Sequence, residues 1–258
     1  MANDLSFIKH EAGEKLACRV RPGKGPTVLW LGGFRSDMDG TKAEAVDEWA
    51  RKTGRAFVRF DYSGHGLSSG KFENGTISRW RDDALCVLDE YCPGDVIALG
   101  SSMGAWIALL LAKARPARIR ALTLIAPAPD FTEKLMWQGF DQDTRRLIVE
   151  HGVYYEPSDY SDQPTPITRA LIEDGRNNLV MDAPIAFDGP VRILQGVQDE
   201  SVPWSYALEL MGCLQSEDIV FNLSKSGDHR LSTPPDLVRL TTTLDLLCIQ
   251  LQSAANSE

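Results

Sequence analysis

No run in this 258-residue chain approaches the roughly eighteen consecutive apolar residues of a membrane-spanning helix. The start, Met1-Ala2-Asn3-Asp4, is neither basic nor followed by a long apolar segment. No secretory signal is therefore expected, and the cytoplasm is the simplest compartment. Basic clusters are also scarce. The 27 Lys and Arg against 36 Asp and Glu leave a formal charge of −9, with nothing to neutralise a phosphate backbone, so nucleic acid is not an expected partner. The five cysteines are Cys18, Cys86, Cys92, Cys213 and Cys248. They are odd in number and lack C-x-x-C spacing, which suits free thiols in a reducing compartment better than a disulfide or zinc framework. H-E-x-x-H is absent. Arg21-Pro22-Gly23-Lys24-Gly25-Pro26 lacks Walker spacing, and Gly64, Gly66 and Gly70 miss the dinucleotide fingerprint by one residue. Neither a metal nor an organic cofactor is expected.

What the chain does have is a repeating alternation of strands and helices. Phe7–Glu11 and Leu16–Val20 read as an opening hairpin around Ala12-Gly13-Glu14-Lys15. Thr27–Leu31, Ala56–Phe60, Val96–Ser101 and Ala121–Ala126 are short, mostly apolar runs of the kind buried in parallel sheets. Helical patterns lie between them. One starts at Thr41 with a capping-box Glu44 and carries Ala43, Val46, Trp49 and Ala50 on one face. A second runs from about Thr76 to Tyr91, and a third runs to about Arg115. Asp82-Asp83 on the second reads as solvated surface. The alternation lapses over residues 129–188, which show helical patches at Thr132–Gly139, Asp141–His151 and Ile167–Leu179 but no clear strand. It resumes with strands at Pro190–Gly196 and Asp218–Leu223 and helices at Pro203–Leu214 and Pro234–Leu251. The expected architecture is α/β: one domain over 1–258, a mostly parallel central sheet with helices on both faces, and 129–188 as an inserted helical cap.

The chemistry centres on Gly100-Ser101-Ser102-Met103-Gly104, a G-x-S-x-G pentapeptide between an apolar strand and an apolar helix. That context is the nucleophile elbow of α/β-hydrolases, although five residues of this form also occur as a plain tight turn. The elbow calls for a base after the last strand, and of the four histidines only His229 stands there. His10 falls in the hairpin, His65 in a loop before the serine and His151 in the insertion. The orienting acid belongs after the preceding strand, where Asp199 stands. Glu200, Asp228 and Asp130 are its rivals. Two backbone N–H donors are needed for an oxyanion: Met103, next after the serine, and Phe34, after Gly32-Gly33. The alternative is that Gly32-Gly33 merely turns the chain. Tyr62, Trp106, Trp137 and Trp204 are candidates for the substrate pocket, with core packing as the alternative for each.

Further stretches carry a resemblance. They are Leu31-Gly32-Gly33-Phe34 with Ser36, Met38 and Gly40-Thr41-Lys42-Ala43; Arg59-Phe60-Asp61-Tyr62-Ser63-Gly64; Trp80-Arg81; the elbow with Trp106; Val202-Pro203-Trp204; and Asp228-His229-Arg230. Over nearly its whole length the chain resembles the α/β-hydrolase superfamily. Within that, it resembles the family of α/β-hydrolase domain-containing protein 10 and its bacterial relatives. The resemblance implies cleavage of acyl thioesters, such as S-palmitoyl cysteine in proteins, and of acyl-glucuronide esters. The expected partner is thus a small-molecule acyl ester or thioester or an S-acylated protein, without integral membrane association. Animal members carry a mitochondrial transit peptide, so a mitochondrial location here would require a presequence already removed. Amide or carbon–carbon bond hydrolysis, and non-catalytic ligand binding, are the competing functions on the same fold.

Overall fold

The structure is a computed structural model and describes residues 5–9, 14–157 and 164–255. The strands are β1 Leu5–Lys9, β2 Lys15–Arg21, β3 Lys24–Leu31, β4 Arg55–Phe60, β5 Val96–Ser101, β6 Ile119–Ile125, β7 Val153–Glu156, β8 Thr165–Thr168, β9 Val191–Gly196 and β10 Ile219–Ser224. The α-helices are α1 Thr41–Thr53, α2 Ile77–Tyr91, α3 Met103–Ala114, α4 Gln142–His151, α5 Arg169–Arg176, α6 Trp204–Cys213 and α7 Pro234–Ala255. Part of the opening hairpin's expected strand and turn, residues 10–13, lies outside the described residues.

Eight strands form the central sheet in the order β1-β2-β4-β3-β5-β6-β9-β10. From β4 to β10 every neighbouring pair is parallel, and β2 runs antiparallel to both β1 and β4. This is the α/β-hydrolase architecture expected from the sequence. Side chains alternate across the sheet with the period of two that a strand imposes. Leu29 and Leu31 of β3, Ala98 of β5 and Leu122 and Leu124 of β6 enter one core with α2, α3 and α6. Val28 and Trp30, Ile97 and Leu99, and Ala121 and Ile125 enter the opposite core with α1 and α7. Each fully buried Leu or Ile contributes about 1.5–3 kcal/mol by leaving water, so this two-sided burial makes the sheet a rigid base for the loops at its C-terminal edge.

Three local expectations change. At α1 the N-cap is Gly40, which has no side chain to cap with, and Thr41 is already helical. Asp83 is not solvated. It is fully buried and accepts hydrogen bonds from the Ser63 N–H and Oγ, both at 2.8 Å, while Asp82 stays exposed beside Arg81. The segment after β6 also contains strands: β7 and β8 pair antiparallel, with Tyr155 opposite Pro166. Four residues are too few for alternation to register, and an edge position tolerates a proline that cannot donate. A π-helix at Thr132–Trp137, with α4 and α5, completes this segment. It has a small core of its own, Ile148, Ile167 and Ile172. Its two ends are strapped by the buried Asp130 carboxylate, which accepts the Val180 and Met181 N–H groups at 2.9 Å each.

Candidate active site

Ser102 sits between β5 and α3 with φ 54° and ψ −118°, a backbone conformation that L residues rarely adopt. The turn survives because its neighbours lack side chains. A Cβ on Gly100 would collide with the Gly104 carbonyl and the Ala105 nitrogen, and one on Gly104 with the Leu31 carbonyl oxygen. Gly104→Ala is therefore expected to cost about 3 kcal/mol or more, read as a lowered urea midpoint. An unchanged midpoint would contradict the close approach of α3 to β3. The Ser102 backbone is pinned on both sides: its N–H donates to Ile125 at 2.8 Å, and its carbonyl accepts the Ala128 N–H at 3.2 Å.

The Ser102 Oγ lies 3.1 Å from His229 Nε2, and His229 Nδ1 lies 2.8 Å from Asp199 Oδ2. The Asp199 side chain is fully buried, whereas His229 keeps 28% of its side chain exposed. Four donors hold the carboxylate. Oδ1 accepts the Ser201 and Val202 N–H groups at 3.0 and 2.8 Å, and Oδ2 accepts Gln195 Nε2 at 3.0 Å as well as His229. An ionised carboxylate only accepts, so the neutral imidazole carries its proton on Nδ1 and turns the Nε2 lone pair to the serine. The loops bearing Asp199 and His229 interlock through Gly196 and Gly227, whose backbones approach too closely for a Cβ on Gly196. The Gln198 N–H donates to the Gly227 carbonyl at 2.9 Å. Asp228 Oδ1 accepts the Leu231 N–H at 3.0 Å, and the Lys42 ammonium reaches from α1 to the Arg230 carbonyl. Burial pushes Lys42 down to about 8, against the opposing pull of Asp228.

The rivals of Asp199 are placed elsewhere. Glu200 is exposed, Asp228 shapes its own turn, and Asp130 straps the segment after β6. Among the other histidines, His151 is exposed, His65 is buried, and His10 lies outside the described residues.

Gly33 packs against the elbow so closely that a Cβ on it would lie 3.5 Å from Ser102 Cβ. The Gly33 carbonyl accepts both the N–H and the Oγ of Ser36, at 3.2 and 2.7 Å. In a trans peptide the Phe34 N–H then points away from Ser36. The Met103 N–H opens α3, where first-turn donors lack intrahelical partners. The half-buried Phe34 ring meets Phe72, Trp80 and Phe131 edge-on, with centroids 5.0, 5.8 and 5.6 Å away, and also packs on the small core of the segment after β6.

The aromatic pocket candidates scatter. Trp106 is fully buried, with Nε1 donating to the Asn178 carbonyl at 2.9 Å, and Tyr62 is buried at 1% exposure. Neither presents surface to a ligand in this conformation. Trp137 lies under the guanidinium groups of Arg145 and Arg176, 5.6 and 4.8 Å from its ring centroid. Trp204 opens α6 and is 41% exposed. A cavity of about 220 Å³ lies elsewhere, between the loop after β3 and the β7–β8 hairpin, lined by Arg35, Phe72, Glu73, Tyr155, Pro164 and Pro166. Sequence reasoning also missed Gln195. A polar residue inside the apolar run of β9 was the available signal, since a buried amide must find partners.

The sequence family described as serine aminopeptidase, S33, matches residues 27–168. The mouse palmitoyl-protein thioesterase ABHD10, mitochondrial, is 36% identical over 250 residues, covering 96% of this chain and 84% of that one. The chain belongs to the α/β-hydrolase family. Among solved structures, mouse α/β-hydrolase domain-containing protein 10 superposes with a TM-score of 0.88 at 35% identity, covering 96% of this chain and 99% of that one. A crystal structure of an Agrobacterium vitis protein superposes at 0.92 with 43% identity, covering 96% and 100%. This α/β-hydrolase is thus an enzyme of the serine-hydrolase type. Among its described residues no helix is long and apolar enough to cross a membrane.

Proposed function

We propose that Ser102, His229 and Asp199 form the catalytic triad of an acyl-protein thioesterase, acting on a long-chain S-acyl cysteine. The carrying observation is the continuous hydrogen-bonded chain from Asp199 through His229 to the Ser102 Oγ, at 2.8 and 3.1 Å. Ser102 attacks the acyl carbonyl while Nε2 of His229 takes its proton, and Asp199 stabilises the resulting imidazolium. The tetrahedral oxyanion lies between the N–H groups of Phe34 and Met103. The thiolate leaving group departs with the proton from His229, and water releases the acid from the acyl-enzyme by the same route. No step calls on a cofactor. Residues 129–188 act as a cap inserted in the single domain, and the cavity beside its hairpin offers apolar surface from Phe72, Tyr155 and two prolines next to the cationic Arg35.

The thioester assignment draws on the name of the mouse relative, a palmitoyl-protein thioesterase. The same name favours the mitochondrion over the cytoplasm expected from the N-terminal sequence, and five free thiols suit the reducing interior of either. Matched p-nitrophenyl esters and acyl thioesters of two to sixteen carbons test the substrate class. A kcat/KM that rises with chain length on the thioesters is the expected result. A short-chain optimum on the oxygen esters would sink the depalmitoylase reading. The serine aminopeptidase description of the matching family supports amide cleavage as a second reading, and an aminoacyl p-nitroanilide in the same series separates the two.

A further inference from the structure

The loop after β3 is held by side chains from the end of β4 and the segment that follows. Asp61 Oδ1 accepts the Met38 N–H at 2.7 Å, and Arg59 Nη1 donates to the Met38 carbonyl at 2.9 Å. The third contact falls next to the proposed oxyanion donor: the Arg35 N–H points at His65 Nε2, 3.3 Å away. Arg35 has φ 57°, a left-handed conformation that a residue with a Cβ does not keep without support.

His65 is built to give that support. Its Nδ1 lies 3.3 Å from the Ser63 carbonyl, an acceptor only, so the ring proton belongs on Nδ1 and the lone pair on Nε2. Ser63 is itself clamped by the buried Asp83, and its carbonyl also accepts Trp80 Nε1 at 3.2 Å. The His65 ring is 4% exposed and stands edge-on to Phe72, Trp80 and Tyr62, with centroids 5.1, 5.2 and 5.7 Å away. Burial pushes the imidazole down to about 4, and the Arg35 charge acts in the same direction. A ring so placed is neutral and has one tautomer.

We infer that His65 is a positioning residue of the active site: its Nε2 lone pair holds the Arg35 N–H and so fixes the adjoining Gly33–Phe34 peptide as an oxyanion donor. The inference rests on the Ser102-centred reading above. It differs from a packing role in requiring an acceptor atom, which a phenylalanine of similar shape lacks and a glutamine side-chain oxygen restores.

The test is steady-state kinetics of wild type, His65→Phe, His65→Gln and Ser102→Ala on p-nitrophenyl butyrate, with thermal midpoints measured alongside. His65→Phe is expected to lower kcat about 30- to 100-fold while KM stays within about twofold, because a displaced oxyanion donor weakens only the transition state. His65→Gln is expected to recover at least about tenfold of that loss, a rescue that packing alone would not produce. Affinity for a trifluoromethyl ketone inhibitor should fall in parallel with kcat/KM. A His65→Phe kcat within about threefold of wild type would overturn the inference, provided that Ser102→Ala abolishes turnover. So would a Gln variant no better than Phe. Turnover retained by Ser102→Ala would instead remove the site reading, and this inference with it. Should His65→Phe fail to fold, histidine ¹⁵N resonances of the wild-type protein decide: a proton on Nδ1 of His65 supports the inference, and one on Nε2 overturns it.

Discussion

Ser102→Ala is expected to lower kcat on any ester or thioester this enzyme turns over by about 10⁵- to 10⁶-fold, with the fold intact. The size follows from the absence of a substitute. The Oγ that His229 faces at 3.1 Å is gone, and Ser101, the adjacent hydroxyl, is buried in the last position of β5. The fold should survive because the backbone contacts of residue 102, to Ile125, Ala105 and Ala128, use only its N–H and carbonyl. Alanine also meets the φ of 54° at a cost close to that of serine. What remains is the rate that the oxyanion donors supply by themselves, roughly 10³-fold over water. Intact mass after a fluorophosphonate probe should show one adduct on wild type and none on the variant. Labelling that persists in the alanine protein would place the nucleophile elsewhere.

Legibility in the sequence followed burial. The inner strands β3, β5, β6 and β9 are covered on both faces, so they read as apolar runs. The elbow is legible because close packing demands glycine at positions 100 and 104, and strand order points to His229 and, with Glu200 beside it as a rival, to Asp199. Interior polar groups were harder to read. Asp82 and Asp83 are neighbours in sequence, but a helix turns by about 100° per residue and sends one to solvent and the other beneath Ser63. His65 reads only as a loop histidine ahead of the serine, because its partner Arg35 lies 30 residues back and no local pattern links the two. Trp106 takes the core alternative for a different reason. Ala105–Leu111 is apolar on every side, the mark of a helix with no free face, and Trp106 within it belongs to the core. The short β7–β8 ladder carries no period long enough to detect.

Asp199→Asn is expected to lower kcat by about 10⁴-fold while leaving KM nearly unchanged. The surroundings of the carboxylate determine how an amide would sit. Two backbone N–H groups, of Ser201 and Val202, converge on Oδ1 at 3.0 and 2.8 Å. An asparagine satisfies them only by placing its carbonyl oxygen there, which puts its NH₂ where Oδ2 was. That NH₂ then faces His229 Nδ1, 2.8 Å from the replaced oxygen, and Gln195 Nε2, 3.0 Å from it. Two donors cannot share this contact, so the imidazole yields by moving its proton to Nε2 and presenting the Nδ1 lone pair to the amide. Nε2–H then points at the Ser102 Oγ, and the serine loses its base without any atom of the triad having moved far. Gln195 can meet the new NH₂ with its Oε1, which has no hydrogen-bond partner in the wild-type arrangement, only by turning Nε2 away from the Val202 and Gly196 carbonyls, 3.0 and 3.3 Å from it. Stability should therefore fall by about 1–3 kcal/mol, and Asp199→Asn with Gln195→Leu should be no slower than Asp199→Asn alone. Two measurements check the chain of cause: kcat of the single variant against wild type, and the tautomer of His229 by ¹⁵N NMR. A rate within about tenfold of wild type, or a His229 still protonated on Nδ1, would show that Asp199 does not set the orientation of the base.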